Sequence, residues 1–198
     1  MYKTFFQRVM ATLATCLFFQ AFLVCFTYFA QQASADVYAV DDLSGKIDEL
    51  YSNEKLGGRW QKVAAVDYVN IATGGKERDT LYRALKRVLV VHEILDSENK
   101  ESRKFVTRYS TTDFKGLLEG FQPGTPENAA DALFGRPYAA QGAAKAYRNE
   151  NGMAWAVVSF RGGKAYMIDI HSPPEGNKDN EMAAQRLYPQ FDKIRMSF

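Results

Sequence analysis

Residues 153–171 read MAWAVVSFRGGKAYMIDIH, two runs rich in β-branched and aromatic residues on either side of Gly162-Gly163. A Gly-Gly pair accepts positive φ at both central positions of a tight turn, so the stretch predicts a β-hairpin. With the glycines as a two-residue loop, Arg161 faces Lys164, while Trp155, Val157 and Ser159 face Ile170, Ile168 and Tyr166. Strand side chains alternate between faces, so these share one side, expected to be the sheet side of the core. Each large apolar side chain there contributes roughly 1.5–3 kcal/mol when fully buried. The other side carries Phe160, Val158 and Met167 near the turn, then Ala154, Ala156, Asp169 and His171 at the open end.

That second side holds the candidate functional residues. Asp169 and His171 stand two apart on a strand and project about 7 Å apart from one face, opposite two small alanines. A carboxylate can orient an imidazole or raise its basicity, which makes the pair the candidate catalytic residues. The plainer alternative, a polar strand face meeting water, is favoured over it. Ser172 points to the opposite face if the strand continues, which weighs against a triad. Phe160, Val158 and Met167 form an apolar surface that either lies under a helix or receives a partner, and they are the candidate binding residues.

Upstream, helical spacing dominates the expectation. Leu43, Ile47, Leu50 and Tyr51 fall on one helical face after the capping candidates Asp41, Asp42 and Ser44. Residues 60–71, between two Gly-Gly pairs, are read as about three turns of helix, with a strand as the alternative. Leu81, Leu85, Val88, His92 and Leu95 repeat at helical spacing. His92 then lies on a buried stripe, as a core histidine satisfied by one hydrogen bond rather than a metal ligand or proton carrier. No second histidine or cysteine stands at ligand spacing. Further short helices are expected around Phe105–Tyr109 and Phe114–Phe121, and Gln122-Pro123-Gly124 marks a boundary between halves.

Thr125-Pro126-Glu127 starts a helix that Gly135 and Pro137 end. A first strand follows near Ala144–Arg148, which makes the hairpin part of a three-stranded antiparallel meander. Ser172-Pro173-Pro174 stops the last strand. In the closing helix Ala183, Leu187, Phe191 and Ile194 line one side, and Pro189 kinks or divides it. The expected fold is α+β: a helical half over 41–121, a three-stranded meander within 125–198, and a C-terminal helix packed on the sheet, all in one domain spanning 36–198.

The N-terminus bears on destination. Lys3 and Arg8 precede a charge-free run from Val9 to Ala30, and Ala33-Ser34-Ala35 supplies a small-x-small cleavage pattern. Residues 1–35 are read as a signal peptide, or as an uncleaved anchor; either places the remainder outside the cytoplasm. Cys16 and Cys25 both lie in this segment, which excludes a disulfide scaffold or thiol enzyme after cleavage. The chain has 25 Lys and Arg against 23 Asp and Glu. The two surplus cations are Lys3 and Arg8, so the domain itself is neutral and nothing points to nucleic acid. No zincin, phosphate-loop, nucleophile-elbow or calcium-loop pattern occurs, so neither a metal nor a cofactor is expected.

Two short resemblances remain. The run TPENAADALFGRP, followed by strands containing a tryptophan, resembles small outer-membrane assembly lipoproteins of the BamE type, without their lipid-bearing cysteine. The hairpin followed by a helix ending in Ser-Phe is similar to the close of PsbP-like lumenal proteins. Each covers a small part of the chain, and no residue role is carried over from either. The expectation is an exported, extracytoplasmic, non-catalytic accessory or binding protein. Its partner would be another envelope or secreted protein, with the membrane involved only if the leader stays uncut. The alternatives are a small hydrolytic or transfer enzyme using Asp169 and His171, and a membrane-tethered interaction protein.

Overall fold

The computed structural model describes residues 39–51, 56, 58–71, 73–172 and 186–198. The leader, the loop 175–180 and Ala183 lie outside the described residues. A helix over 39–51, α1, is followed by four strands: β1 (Gln61–Val69), β2 (Lys76–Ala84), β3 (Arg87–Leu95) and β4 (Glu101–Thr111). Next come α2 (Glu127–Phe134), β5 (Ala139–Gln141), β6 (Ala144–Arg148), β7 (Trp155–Arg161), β8 (Lys164–His171) and α3 (Tyr188–Arg195). The eight strands of the described residues join one antiparallel sheet in the order β1-β2-β3-β4-β8-β7-β6-β5. Two four-stranded meanders thus meet through their last strands, β4 and β8.

This overturns the helical half and the three-stranded meander. Residues 60–71, the run from Leu81 to Leu95 and the stretch around Phe105–Tyr109, expected to be helical, fold chiefly as β1, the β2–β3 hairpin and β4. The reasons are local. In β3, residues Val88 to His92 are buried in succession, so both faces are covered and the alternation that marks a half-exposed strand is absent. The β2–β3 tip holds Leu85 and Lys86 rather than glycines, with Lys86 itself at φ 58° and Leu85 exposed. In β4 a bulge leaves Thr107 without a ladder partner between Val106 and Arg108. An extra residue turns i, i+2 spacing into i, i+3, so Val106 and Tyr109 share a face at a helical interval. Phe114–Phe121 forms turns closed by a Leu118–Phe121 bridge, not a helix.

The main core lies on one side of the sheet, which we call the inner face. Leu89, Val91, Tyr109, Ala156, Val158, Phe160, Ile168 and Ile170 project from it, covered by α1, the 112–126 turns and α2. Leu43, Ile47 and Tyr51 are the buried side of α1, as their spacing predicts, but Leu50 is exposed, and Asp41, Asp42 and Ser44 lie within the helix rather than capping it. The Asp48 carboxylate accepts the N–H of Val106 at 2.9 Å beside the β4 bulge, which ties α1 to the strand. A column of rings, Phe114, Phe121, Phe134 and Tyr147, fills the centre at centroid spacings of 4.8, 4.9 and 5.1 Å. α2 begins after Pro126 and ends at Gly135 with φ 80°.

The outer face is covered by α3. Leu187 and Phe191, with Ile194 and Phe198, pack on Leu81, Val88 and Val90. Pro189 occupies the first turn of α3, where a missing N–H costs nothing. Among the described residues no helix is long and apolar enough to cross a membrane.

Candidate functional site

Two β-bulges decide what lies beneath α3. The β7–β8 hairpin turns at Gly162 and Gly163, at φ 59° and 71°, and Arg161 pairs with Lys164. Ser159 then pairs with Met167 rather than Tyr166, because Tyr166 bulges out. From there the register is one residue off the expected one. Ile168 and Ile170 turn to the inner face, opposite Val158 and Ala156; Met167, Asp169 and His171 turn outward, opposite Ser159, Val157 and Trp155. The bulge at Thr107 does the same for Arg108, which pairs with His171 across β4–β8 and shares its face. Without both bulges Arg108, Asp169 and His171 would not meet.

The candidate residues are therefore redistributed. Asp169 and His171 do share a face, but beside Val157 and Trp155 rather than two alanines. Val158 and Phe160 are core residues on the inner face, while Met167 is buried on the outer one. These three do not form a common surface, and none is exposed.

Arg108, Trp155, Asp169, His171, Tyr188 and Arg195 line a cavity of about 390 Å³ between α3 and the sheet. Arg195 Nη1 donates to Asp169 Oδ2 at 2.8 Å, and Arg108 Nη2 to Asp192 Oδ1 at 3.1 Å. The Arg108 guanidinium also lies over the rings of Phe191 and Tyr188, 4.2 and 4.6 Å from their centroids. These contacts clamp α3 to β4 and β8. The indole of Trp155 packs on the His171 ring, 4.1 Å between centroids, and Nε2 of His171 is 3.4 Å from the Tyr188 hydroxyl.

Burial raises the pKa of Asp169 above its ordinary value, opposed by Arg195, the Ser110 hydroxyl and Arg108. Burial, with Arg108, lowers that of His171 to about 4. The imidazole is thus neutral at physiological pH. Asp169 Oδ1, His171 Nδ1 and Arg195 Nε are sealed from solvent without a well-formed hydrogen bond; Arg195 Nε lies 3.5 Å from Asp192 Oδ1, and Asp169 stands opposite the equally sealed Ser110 hydroxyl. Asp169 spends its bonded oxygen on Arg195 and gives none to His171. The two are neighbours in one cavity rather than a coupled acid–base pair.

A second polar cluster lies farther along the outer face. His92, expected on a helix stripe, sits in β3 opposite Asp79 of β2. Its Nδ1 is 2.9 Å from Asp79 Oδ1 and 3.0 Å from the Tyr68 hydroxyl, and its Nε2 is 3.4 Å from Glu77 Oε2. Asn70 donates to the other Glu77 oxygen at 2.7 Å. Burial, then Asp79 and Glu77, push the Tyr68 phenol well above its usual pKa, so it keeps its proton. His92, Asp79 and Glu77 are each at most 5 % exposed, which closes this cluster to a substrate. Sequence reasoning missed it because its members come from three strands. The alternation Glu77-x-Asp79-x-Leu81 was the available signal for a strand with acids on a covered face. Among the described residues no group of three or more His, Cys, Asp or Glu side chains is placed to hold a metal ion.

No protein-family model matches the chain, nor does any curated protein or solved structure.

Proposed function

We propose that this is an exported, non-catalytic binding protein that holds a small ligand between α3 and the outer face of the sheet. The observation that carries the reading is the 390 Å³ cavity, within the roughly 300–1,000 Å³ of small-molecule sites. Its wall combines aromatic surface with a few fixed polar groups, the usual composition of such sites. Two features favour binding over turnover. His171 donates no hydrogen bond to Asp169, and the Ser110 hydroxyl stands opposite Asp169 rather than His171. Among the described residues no nucleophile–base–carboxylate line is assembled. Export rests on the basic, apolar and small-x-small succession of residues 1–35.

The test is thermal unfolding of the processed protein against a chemically diverse set of small molecules. A ligand present at a hundred times its Kd stabilises by about 2.7 kcal/mol, which raises Tm by several degrees. Turnover of ester or glycoside substrates that disappears in His171→Ala would replace the binding reading with the enzymatic one. Edman sequencing of protein from the cell should begin at Asp36; a start at Met1 would instead mark a tethered protein.

A further inference from the structure

The charges beyond residue 35 sum to zero, but the fold does not spread them evenly. Antiparallel pairing sets the start of β1, the β2–β3 turn and the end of β4 at one end of the sheet, where Gln61 pairs with Arg83, Ala84 with Arg87 and Arg87 with Thr111. The N–H of Thr112 bonds the Lys86 carbonyl at 3.4 Å, which brings the turn carrying Lys115 to the same end. Arg59, two residues before β1, is exposed there with Arg83, Lys86 and Lys115. Among the described residues none of them pairs with a carboxylate; Arg83 donates through Nε to the neutral amide of Gln61 at 2.8 Å. The acids at this end, among the described residues, are Asp113, held by Arg87 at 2.9 Å, Glu119, and the terminal carboxylate of Phe198, whose side chain packs beside Leu81 and Val88. Asp41 and Asp42 of α1 and Glu150 of the β6–β7 turn lie at the opposite end, where Asn149 donates to Asp41 at 2.7 Å.

At the apex of the basic end stands Leu85, 87 % exposed. A two-residue hairpin tip ordinarily takes Gly, Asn or Asp; here Lys86 adopts φ 58° and Leu85 projects into solvent beside it. One exposed leucine by itself is ordinary. Among unpaired cations it makes a different combination, an aliphatic group that can enter the acyl boundary while ammonium and guanidinium groups meet lipid phosphates. A nucleic acid would engage the cations and leave Leu85 in water. Trp60, the aromatic residue before β1, is half-buried against Tyr51, 5.3 Å between centroids, rather than free to stack on bases.

We propose that the β2–β3 tip is a membrane-docking surface, which seats Leu85 in a bilayer whose anionic headgroups contact Arg59, Arg83, Lys86 and Lys115. The surface is separate from the cavity beneath α3 and stands whether or not that cavity holds a ligand.

The test is partition of the processed protein onto sedimenting vesicles of phosphatidylcholine alone and of phosphatidylcholine mixed with phosphatidylglycerol, at low and at physiological salt. The expected result is a preference for the anionic vesicles that weakens as salt is raised. Each basic residue at an anionic surface contributes about fivefold in affinity, so the double variant Arg83→Gln, Lys86→Gln should bind these vesicles about 25-fold more weakly. Leu85→Asn should weaken binding about tenfold, the low end of what burying a leucine contributes. These are surface changes, so both variants should unfold close to the parent's Tm. Equal partition onto the two vesicle types, partition onto neither, or a double variant that binds as the parent does overturns the docking surface. Anionic binding that Leu85→Asn leaves unaltered overturns the membrane as its occupant, and tighter binding of duplex DNA than of the vesicles then assigns the cations to a nucleic acid.

Discussion

The buried His92 cluster supplies the sharpest test of how this sheet is held. Replacing His92 by Phe keeps a planar ring that can pack on Phe105, whose centroid lies 4.8 Å from the imidazole. It removes both nitrogens that face Glu77 and Asp79, at 3.4 and 2.9 Å. Two acidic side chains then remain on one buried face without the ring nitrogens that faced them, with Asn70 still donating to Glu77 at 2.7 Å. Asp79 Oδ2 already lacks a hydrogen-bond partner, so Asp79 has little to fall back on. Leaving a buried polar group without its hydrogen-bond partner costs about 1–3 kcal/mol, and two such groups are affected. For a domain of this size each kcal/mol lowers Tm by about 2–4 °C, so the loss should be on the order of 10 °C at neutral pH.

The deficit has a second signature. A triple variant, Glu77→Gln, Asp79→Asn and His92→Phe, carries no charge at the site and should recover part of the loss. The assay is urea unfolding at neutral pH, read by circular dichroism. A His92→Phe protein within about 1 kcal/mol of the parent would refute the argument, since surface-like substitutions fall in that range.

Other outcomes follow from the cavity and the turns. Because burial lowers the His171 pKa from 6.5 to about 4, the unfolded chain binds a proton between those values that the folded chain does not. The contribution is complete above pH 6.5 and is lost toward pH 4, by roughly 3 kcal/mol. Asp169, raised by burial, acts in the opposite sense, so the His171 part is the difference between the parent and His171→Gln in pH-dependent unfolding; parallel curves would refute it. Arg195→Met leaves the Asp169 carboxylate without its 2.8 Å partner and should cost about 2–3 kcal/mol, discounted for the partial exposure of the pair. Hydrogen exchange should then quicken in α3 while the β7–β8 ladder stays protected. Gly163→Ala meets open space, so its cost is the φ of 71° alone, about 1–2 kcal/mol; Lys86→Gly, at φ 58°, should shift stability the other way. Equilibrium unfolding of both variants checks the pair of signs.

Several elements are legible in the chain because their causes are local. The Gly162-Gly163 turn, the buried side of α1 and the Pro126 start of α2 each depend on a few adjacent residues and on φ preferences or helical spacing. β1 to β4 were not legible. Their strands carry bulges, and β3 is apolar on both sides, so spacing summed over a window imitates a helix. Of the site, Asp169 and His171 could be singled out as the titratable pair on the hairpin. Arg108, Tyr188 and Arg195 could not, since nothing near them in the chain distinguishes them from other surface cations and rings.

What the amino-acid order determines alone is thus a set of short-range facts: where the chain turns tightly, which segments carry a covered helical side, and that the charges beyond residue 35 balance. Tertiary structure decided the rest. The alternation of side chains makes a single looped-out residue, Thr107 or Tyr166, reverse the facing of everything beyond it on its strand. Only the pairing of β4 with β8, strands about 60 residues apart in the chain, selects which side α3 covers. The cavity exists because those two reversals coincide.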